Sequence, residues 1–129
     1  MRTYFKKRYN SFKFAFKGIN SAVRSEPHMR LHVLSAVAVV IMGYAFEVTK
    51  TEWCLLVGCI GLVITAEIIN TAIETLTNLV SPKQHPLAGK TKDLAAGAVL
   101  VAAITAAVVG AIIFLPYLLA FLNLFLYLD

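Results

Sequence analysis

The 129-residue sequence contains little charge, since Asp, Glu, Lys and Arg make up only 15% of it. Soluble globular chains carry about 25% charged residues. This chain is instead 59% apolar, and one small domain cannot hide that much apolar surface from water. Only two cysteines, seven glycines and four prolines are present, which excludes disulfide-scaffold and collagen-like classes. The composition therefore predicts an integral membrane protein.

Positive charge is present but is concentrated in two places. Eight of the 12 Lys and Arg residues lie in the first 30 positions, and three more are Lys83, Lys90 and Lys92. Basic clusters beside apolar runs are typical of a membrane surface. We therefore predict no nucleic-acid partner, despite the net charge of +5.

Residues 2–24 alternate basic and aromatic side chains. Phe5, Tyr9, Phe12 and Phe16 are spaced i, i+4, i+7 and i+11, which places them on one side of a helix with lysines at its flanks. This pattern predicts an amphipathic helix lying on an anionic membrane surface. A calmodulin-like target or a nucleic-acid-binding arm is the alternative interpretation.

Three apolar segments long enough to span a bilayer follow the basic segment. We predict a single all-α membrane domain over residues 1–129, and the loop at 81–91 carries breaking prolines. The positive-inside rule places this loop and the N-terminal segment in the cytoplasm. The last segment either continues the third span or lies in the interface. The predicted segments are a surface helix at 2–24, spans at 30–48, 52–80 and 92–115, and a tail at 116–129.

Four acids lie near the predicted cytoplasmic boundary: Glu26, Glu67, Glu74 and Asp93. Glu67 and Glu74 share one helix face with Asn70 and Thr71. Seven residues at 1.5 Å each separate the two carboxylates by about 10 Å along the axis, so one small ion cannot bridge them. The spacing therefore predicts two different roles.

Depth separates these two roles. Counted from Trp53, Glu67 falls within the inner leaflet, where a carboxylate can meet the polar head of a lipid. Glu74 falls at the headgroups, where it can meet a soluble ligand or its metal, and Glu26 could join it around Mg²⁺. Lys92 and His85 supply groups that attract phosphates.

Other interpretations of these polar residues remain open. Membrane carboxylates also form proton relays or pair with Arg from another helix. A polar helix face also forms subunit interfaces, because Asn and Thr bond across helices.

The run from Glu67 to Glu74, Glu-Ile-Ile-Asn-Thr-Ala-Ile-Glu, resembles the signature of the prokaryotic diacylglycerol kinase and undecaprenol kinase family. A second similarity is His85 followed seven and eight positions later by Lys92-Asp93. A third combines Lys17-Gly18 with Glu26, Arg30 and His32. The resemblance extends from about residue 7 to about residue 110.

The resemblance implies a homotrimer with active sites shared between subunits, ATP as co-substrate and Mg²⁺ as cofactor. It implies that Glu67 is the general base on the lipid hydroxyl, that Glu26 and Glu74 hold the metal, and that Asn70 supports the base. The implied nucleotide-binding residues are Lys7, Phe14, Glu26, Glu74, His85, Lys92 and Asp93, and the implied lipid-binding residues are Arg30, Glu67 and Asn70.

Three positions depart from the pattern of the resembling family. Lys7 and Phe14 stand where some members have an Arg and a Tyr that touch ATP, so Lys7 lacks the bidentate fork and Phe14 lacks a hydroxyl. Asn78 stands where an acid is common.

The resemblance implies an ATP-dependent kinase that phosphorylates the primary hydroxyl of a membrane lipid. The stretch from Glu26 to His32 favours undecaprenol, with diacylglycerol as the alternative substrate. A small oligomeric proton or ion conductor and a non-catalytic membrane scaffold remain as functions of other classes. The sequence has no GxxxxGK[ST] loop, so side chains and metal would have to form the nucleotide site.

Overall fold

The computed structural model describes residues 2–83 and 85–126, and all four elements in this part are α-helices. Three of them, α2, α3 and α4, are long and apolar enough to cross a membrane. The predicted all-α class with three spanning helices is therefore confirmed. The helices are α1 (Arg2–Ser25), α2 (Pro27–Ala45), α3 (Lys50–Val80) and α4 (Pro86–Leu126).

The chain changes direction between α1 and α2 at Glu26, whose backbone is extended at φ −104° and ψ 117°. Pro27 then occupies the first helical turn, where its missing N–H costs no hydrogen bond. Met29 is fully buried at this junction and Ala22 is 3% exposed. Because Pro27 starts the helix, α2 begins three residues before the predicted boundary at 30.

A compact turn joins α2 to α3. The N–H of Val48 donates to the carbonyl of Gly43 at 3.1 Å, and the N–H of Glu47 donates to the carbonyl of Tyr44 at 3.3 Å. This is a Schellman arrangement, and it places Glu47 in the left-handed region at φ 52°. α2 therefore ends at Ala45, three residues before the predicted boundary at 48.

α3 begins with a reciprocal cap. The hydroxyl of Thr49 accepts from the N–H of Glu52 at 3.3 Å, while the Glu52 carboxylate accepts from the N–H of Thr49 at 2.7 Å. The hydroxyl of Tyr117, on α4, donates to the same carboxylate at 3.0 Å. A Cβ on Gly43 would lie 2.7 Å from the indole of Trp53, so glycine permits this close approach of α2 to α3.

α4 is longer than predicted at both ends. Pro86 starts the helix at a position that favours proline, so the connection from α3 is 81–85 instead of 81–91. The helix also continues through Pro116 to Leu126, so of the two alternatives left open for the segment from 116, the described part continues the helix of the third span. Phe114 is buried and Tyr117 bonds to α3, which hold the segment around the proline in place. Positions 127–129 of the predicted tail lie outside the described residues.

α3 and α4 pack against each other along much of their length. The buried residues of α3 are Leu56, Val63 and Glu67, spaced by seven and four positions on one face. On α4 the buried residues nearest its start are small: Ala95, Val99 and Ala102. Small side chains let membrane helices approach closely. Glu67 thus lies at the end of an apolar, buried helix face.

Candidate active site

Glu67 is 3% exposed and is the one buried charged side chain among the described residues. It continues the apolar face of α3 formed by Leu56 and Val63. Thr71 donates from its hydroxyl to the backbone carbonyl of Glu67 at 3.0 Å, so this contact leaves the carboxylate free. A carboxylate within a membrane-spanning helix is costly, which makes Glu67 the first candidate for a functional group.

Glu74 follows Glu67 by two turns and is held by a neighbouring amide. Asn70 donates from Nδ2 to Oε1 of Glu74 at 3.2 Å. Within residues 2–83 and 85–126, the other oxygen of Glu74 makes no hydrogen bond and remains available to a ligand. Among the described residues the buried Oδ1 atom of Asn70 has no hydrogen-bond partner, and Asn70 lines a small apolar cavity of about 220 Å³ between α3 and α4.

A second cavity, of about 650 Å³, lies where the 81–85 connection joins α3 to α4. Lys92 donates from Nζ to Oδ1 of Asn78 across it at 2.6 Å. Nδ1 of His85 accepts from the N–H of Leu87 at 3.2 Å, which caps α4 and leaves Nε2 as the ring donor. Lys83 also lines this cavity, and none of the described lining residues is acidic. The cavity therefore suits an anion such as a phosphate.

Arg30 and Glu26, both predicted site residues, lie at the junction of α1 and α2. Arg30 donates from Nε to the carbonyl of Val23 at 3.1 Å and from Nη2 to the carbonyl of Arg24. These bonds satisfy carbonyls that the last turn of α1 leaves free. Glu26 is half-buried, and its side chain makes no capping hydrogen bond.

The remaining predicted residues are more scattered. Asp93 is exposed on α4. Lys7 and Phe14 are exposed on α1 and line none of the cavities described here. The structure thus brings together Asn70 with Glu74, and His85 with Lys92, but does not join these two groups to Lys7 or Phe14 within one chain.

Two features of the site region were missed from the sequence. Asn78 was recognised only as a departure from a family pattern, although it is the partner of Lys92. His32 and Ser35 line an apolar cavity of about 400 Å³ between α2, α3 and α4. Contacts between helices carry no spacing signal in one sequence.

The protein ligands for a metal are few. Among the described residues, no group of three or more His, Cys, Asp or Glu side chains could hold an ion. A cation would therefore depend on one or two carboxylates together with substrate phosphates and water, which is the usual setting of Mg²⁺. The free oxygen of Glu74 fits that requirement.

Three spanning-length helices, a buried carboxylate and an anion-suited cavity are features that a membrane enzyme acting on phosphate groups requires. The model of the family "Prokaryotic diacylglycerol kinase" matches residues 13–114, so the chain belongs to this family. The chain is a lipid kinase, and the family implies a nucleotide substrate together with a metal ion.

Three relatives illustrate the similarity. The undecaprenol kinase of Bacillus subtilis (strain 168) is 41% identical over 110 residues, covering 85% of this chain and 89% of the relative. The diacylglycerol kinase of Synechocystis is 37% identical over 111 residues, covering 85% and 63%. The diacylglycerol kinase of Haemophilus influenzae is 29% identical over 106 residues, covering 81% and 90%.

Proposed function

We propose that this lipid kinase transfers the γ-phosphoryl group of ATP to the primary hydroxyl of a membrane lipid, with Glu67 as the general base. The observation that carries the proposal is the burial of Glu67 at 3% exposure within the helix that also holds Asn70 and Glu74. Buried membrane carboxylates mark functional sites.

The chemical step requires little covalent participation by the protein. The Glu67 carboxylate accepts the proton of the lipid hydroxyl, and the hydroxyl oxygen attacks the γ-phosphorus. The bond from that phosphorus to the bridging oxygen of ADP breaks, which gives ADP and a lipid phosphate monoester. The protein contributes mainly alignment and neutralisation of charge.

We assign metal binding to Glu74 and Glu26. Asn70 fixes one oxygen of Glu74, and the other oxygen accepts no hydrogen bond from the part of the chain that the structure describes. When bound by these carboxylates, Mg²⁺ would supply positive charge that offsets the negative charge of the phosphates. Asn70 acts here by orienting Glu74, a role that adds to the support of Glu67 implied by the resemblance.

We assign the phosphates of ATP to the cavity at the α3–α4 connection. Lys92 and His85 present an ammonium group and a ring N–H there, and Asp93 follows Lys92 on α4. Lys7 and Phe14 would complete the site from α1. Within one chain, neither Lys7 nor Phe14 lines this cavity. We therefore propose that a neighbouring subunit of a homotrimer supplies these two residues.

We propose undecaprenol as the lipid substrate. The relative named undecaprenol kinase is 41% identical, against 37% and 29% for two relatives named diacylglycerol kinase. The stretch from Glu26 to His32 supports the same choice. Diacylglycerol is the second candidate, because relatives of that name share most of the matched region. Two guanidinium nitrogens of Arg30 donate to backbone carbonyls of α1. The remaining N–H groups of Arg30 would contact the polar end of the lipid.

We propose that α1 lies as an amphipathic helix on the cytoplasmic surface of a bacterial inner membrane. The 81–85 connection would lie on the same side, because two spanning helices, α2 and α3, separate it from α1. The positive-inside rule supports this orientation. The active site would then open to cytoplasmic ATP.

Radiolabel transfer tests the proposal. Purified protein in bilayers containing equal amounts of undecaprenol and diacylglycerol should move label from [γ-³²P]ATP into lipid, mostly as undecaprenyl phosphate. Predominant labelling of phosphatidate would replace undecaprenol by diacylglycerol as the substrate. Proton flux in the same vesicles without label transfer would instead indicate the ion-conductor alternative.

A further inference from the structure

α1 carries seven Lys and Arg residues and no acid. Four of them are spaced by seven, four and seven positions, which places them within about 40° of one another around the helix. All four are exposed. We name this set the cation row, and it consists of Lys6, Lys13, Lys17 and Arg24.

The cation row points away from the side on which α1 packs. Ala22, which is buried, lies about 160° around the helix from the row. Lys7 and Phe14, which the proposed function assigns to ATP, lie about 90° from the row. The row is therefore separate from both the packing side and the proposed nucleotide side of α1.

An aromatic stripe runs beside the cation row. Phe5, Tyr9, Phe12 and Phe16 are each between 65% and 70% exposed, and their stripe is centred about 90° from the row. A helix that sinks its apolar side to the acyl boundary holds the adjacent side at the depth of the phosphates. The angle between the stripe and the row therefore places the cation row at the depth of the lipid phosphates. α1 has no acidic side chain that could pair with these cations instead.

We infer that the cation row is a binding surface for anionic phospholipid headgroups, so that docking of α1 depends on the anionic lipid content of the membrane. This rests on the proposed function in one respect, the surface location of α1. Anionic lipids attract Lys and Arg held near the surface, and the attraction decays within the Debye length. Zwitterionic headgroups carry no net charge and offer no such attraction.

Hydrogen–deuterium exchange of α1 in nanodiscs tests the inference without relying on catalysis. With about 30% phosphatidylglycerol in phosphatidylcholine, exchange of α1 amides should be at least about tenfold slower than in phosphatidylcholine alone. The variant K6Q/K13Q/K17Q/R24Q should lose this difference. The charge-conserving control K6R/K13R/K17R should retain it, and high salt should remove it from the unaltered protein.

Three outcomes would contradict the proposal that the cation row binds anionic phospholipid headgroups. The first is equal protection of α1 in both lipids, which would assign docking to the aromatic stripe alone. The second is protection in pure phosphatidylcholine on addition of inorganic phosphate, which would indicate a soluble anion. The third is protection in detergent without phospholipid, which would indicate a neighbouring subunit. Unchanged exchange in α3 and α4 verifies folding of the variants.

Label transfer in the same nanodiscs separates this inference from the proposed function. Lipid-dependent protection without any transfer would count against the proposed catalytic site and leave the cation row standing. Label transfer without lipid-dependent protection would support the proposed catalytic site and count against lipid binding by the cation row.

Discussion

Asn70 holds the carboxylate of Glu74 from one turn away, with Nδ2 donating to Oε1 at 3.2 Å. This contact fixes one oxygen of Glu74, and the proposed function assigns the second oxygen to a cation. An amide that orients a metal-binding carboxylate affects metal affinity without touching the metal.

Substitution of Asn70 by Leu should therefore raise the Mg²⁺ concentration for half-maximal activity by about tenfold, because Glu74 loses its orienting hydrogen bond. Thr71→Val is the matched control, since the Thr71 hydroxyl donates to the backbone carbonyl of Glu67 and touches no carboxylate among the described residues. Mg²⁺ titrations of label transfer provide the measurement. Equal titrations for Asn70→Leu and Thr71→Val would remove the orienting role.

Glu26→Gln and Glu74→Gln should each raise the Mg²⁺ requirement by at least about tenfold, because an amide is a weaker ligand than a carboxylate for this hard cation. Glu47→Gln, in the α2–α3 turn, controls for loss of a negative charge. An unchanged Mg²⁺ titration in either test variant would exclude that residue as a ligand.

The contact between Lys92 and Asn78 predicts an effect on ATP binding. Asn78 is neutral, so it accepts from Lys92 without cancelling its charge. Asn78→Asp should compensate part of that charge and raise the KM for ATP about two- to tenfold, with kcat little changed. Asn78→Ser, which retains an acceptor without charge, should leave the KM nearly unaltered. A lower KM in Asn78→Asp would show that the acid assists binding.

Glu47 adopts φ 52° in the turn after α2, a conformation that disfavours residues with a Cβ. Glu47→Gly should therefore stabilise the fold by about 0.5–1 kcal/mol, after allowance for the greater freedom of glycine in the unfolded chain. Glu47→Ala should give no such gain. Thermal unfolding in detergent compares the two, and equal Tm values would contradict the assignment of strain.

Local patterns in the sequence predicted much of the helical architecture. Apolar run lengths predicted three spanning helices, and the i, i+3, i+4 and i+7 spacing placed Glu67, Asn70 and Glu74 on one helix. The Asn70–Glu74 hydrogen bond joins residues four positions apart, so it follows from helical geometry alone.

Contacts between distant segments were not predictable in this way. The prolines of the predicted 81–91 loop were interpreted as helix breakers, yet Pro86 occupies a favoured first-turn position. The sequence left the path after residue 115 open, and α4 passes through Pro116. The segment after Pro116 is held by the bond from Tyr117 to Glu52, residues 65 positions apart. The Lys92–Asn78 contact likewise spans 14 positions and two helices. Such pairs depend on how α3 and α4 pack.

The most direct measurement is label transfer by Glu67→Gln, with Glu47→Gln as a charge-matched control and particle size measured for both. The substitution keeps the shape of the side chain but removes its ability to accept a proton. We expect transfer to fall by about 10²- to 10⁴-fold, while assembly and ATP binding persist. Transfer at the unaltered rate by correctly assembled Glu67→Gln protein would contradict the assignment of Glu67 as the base.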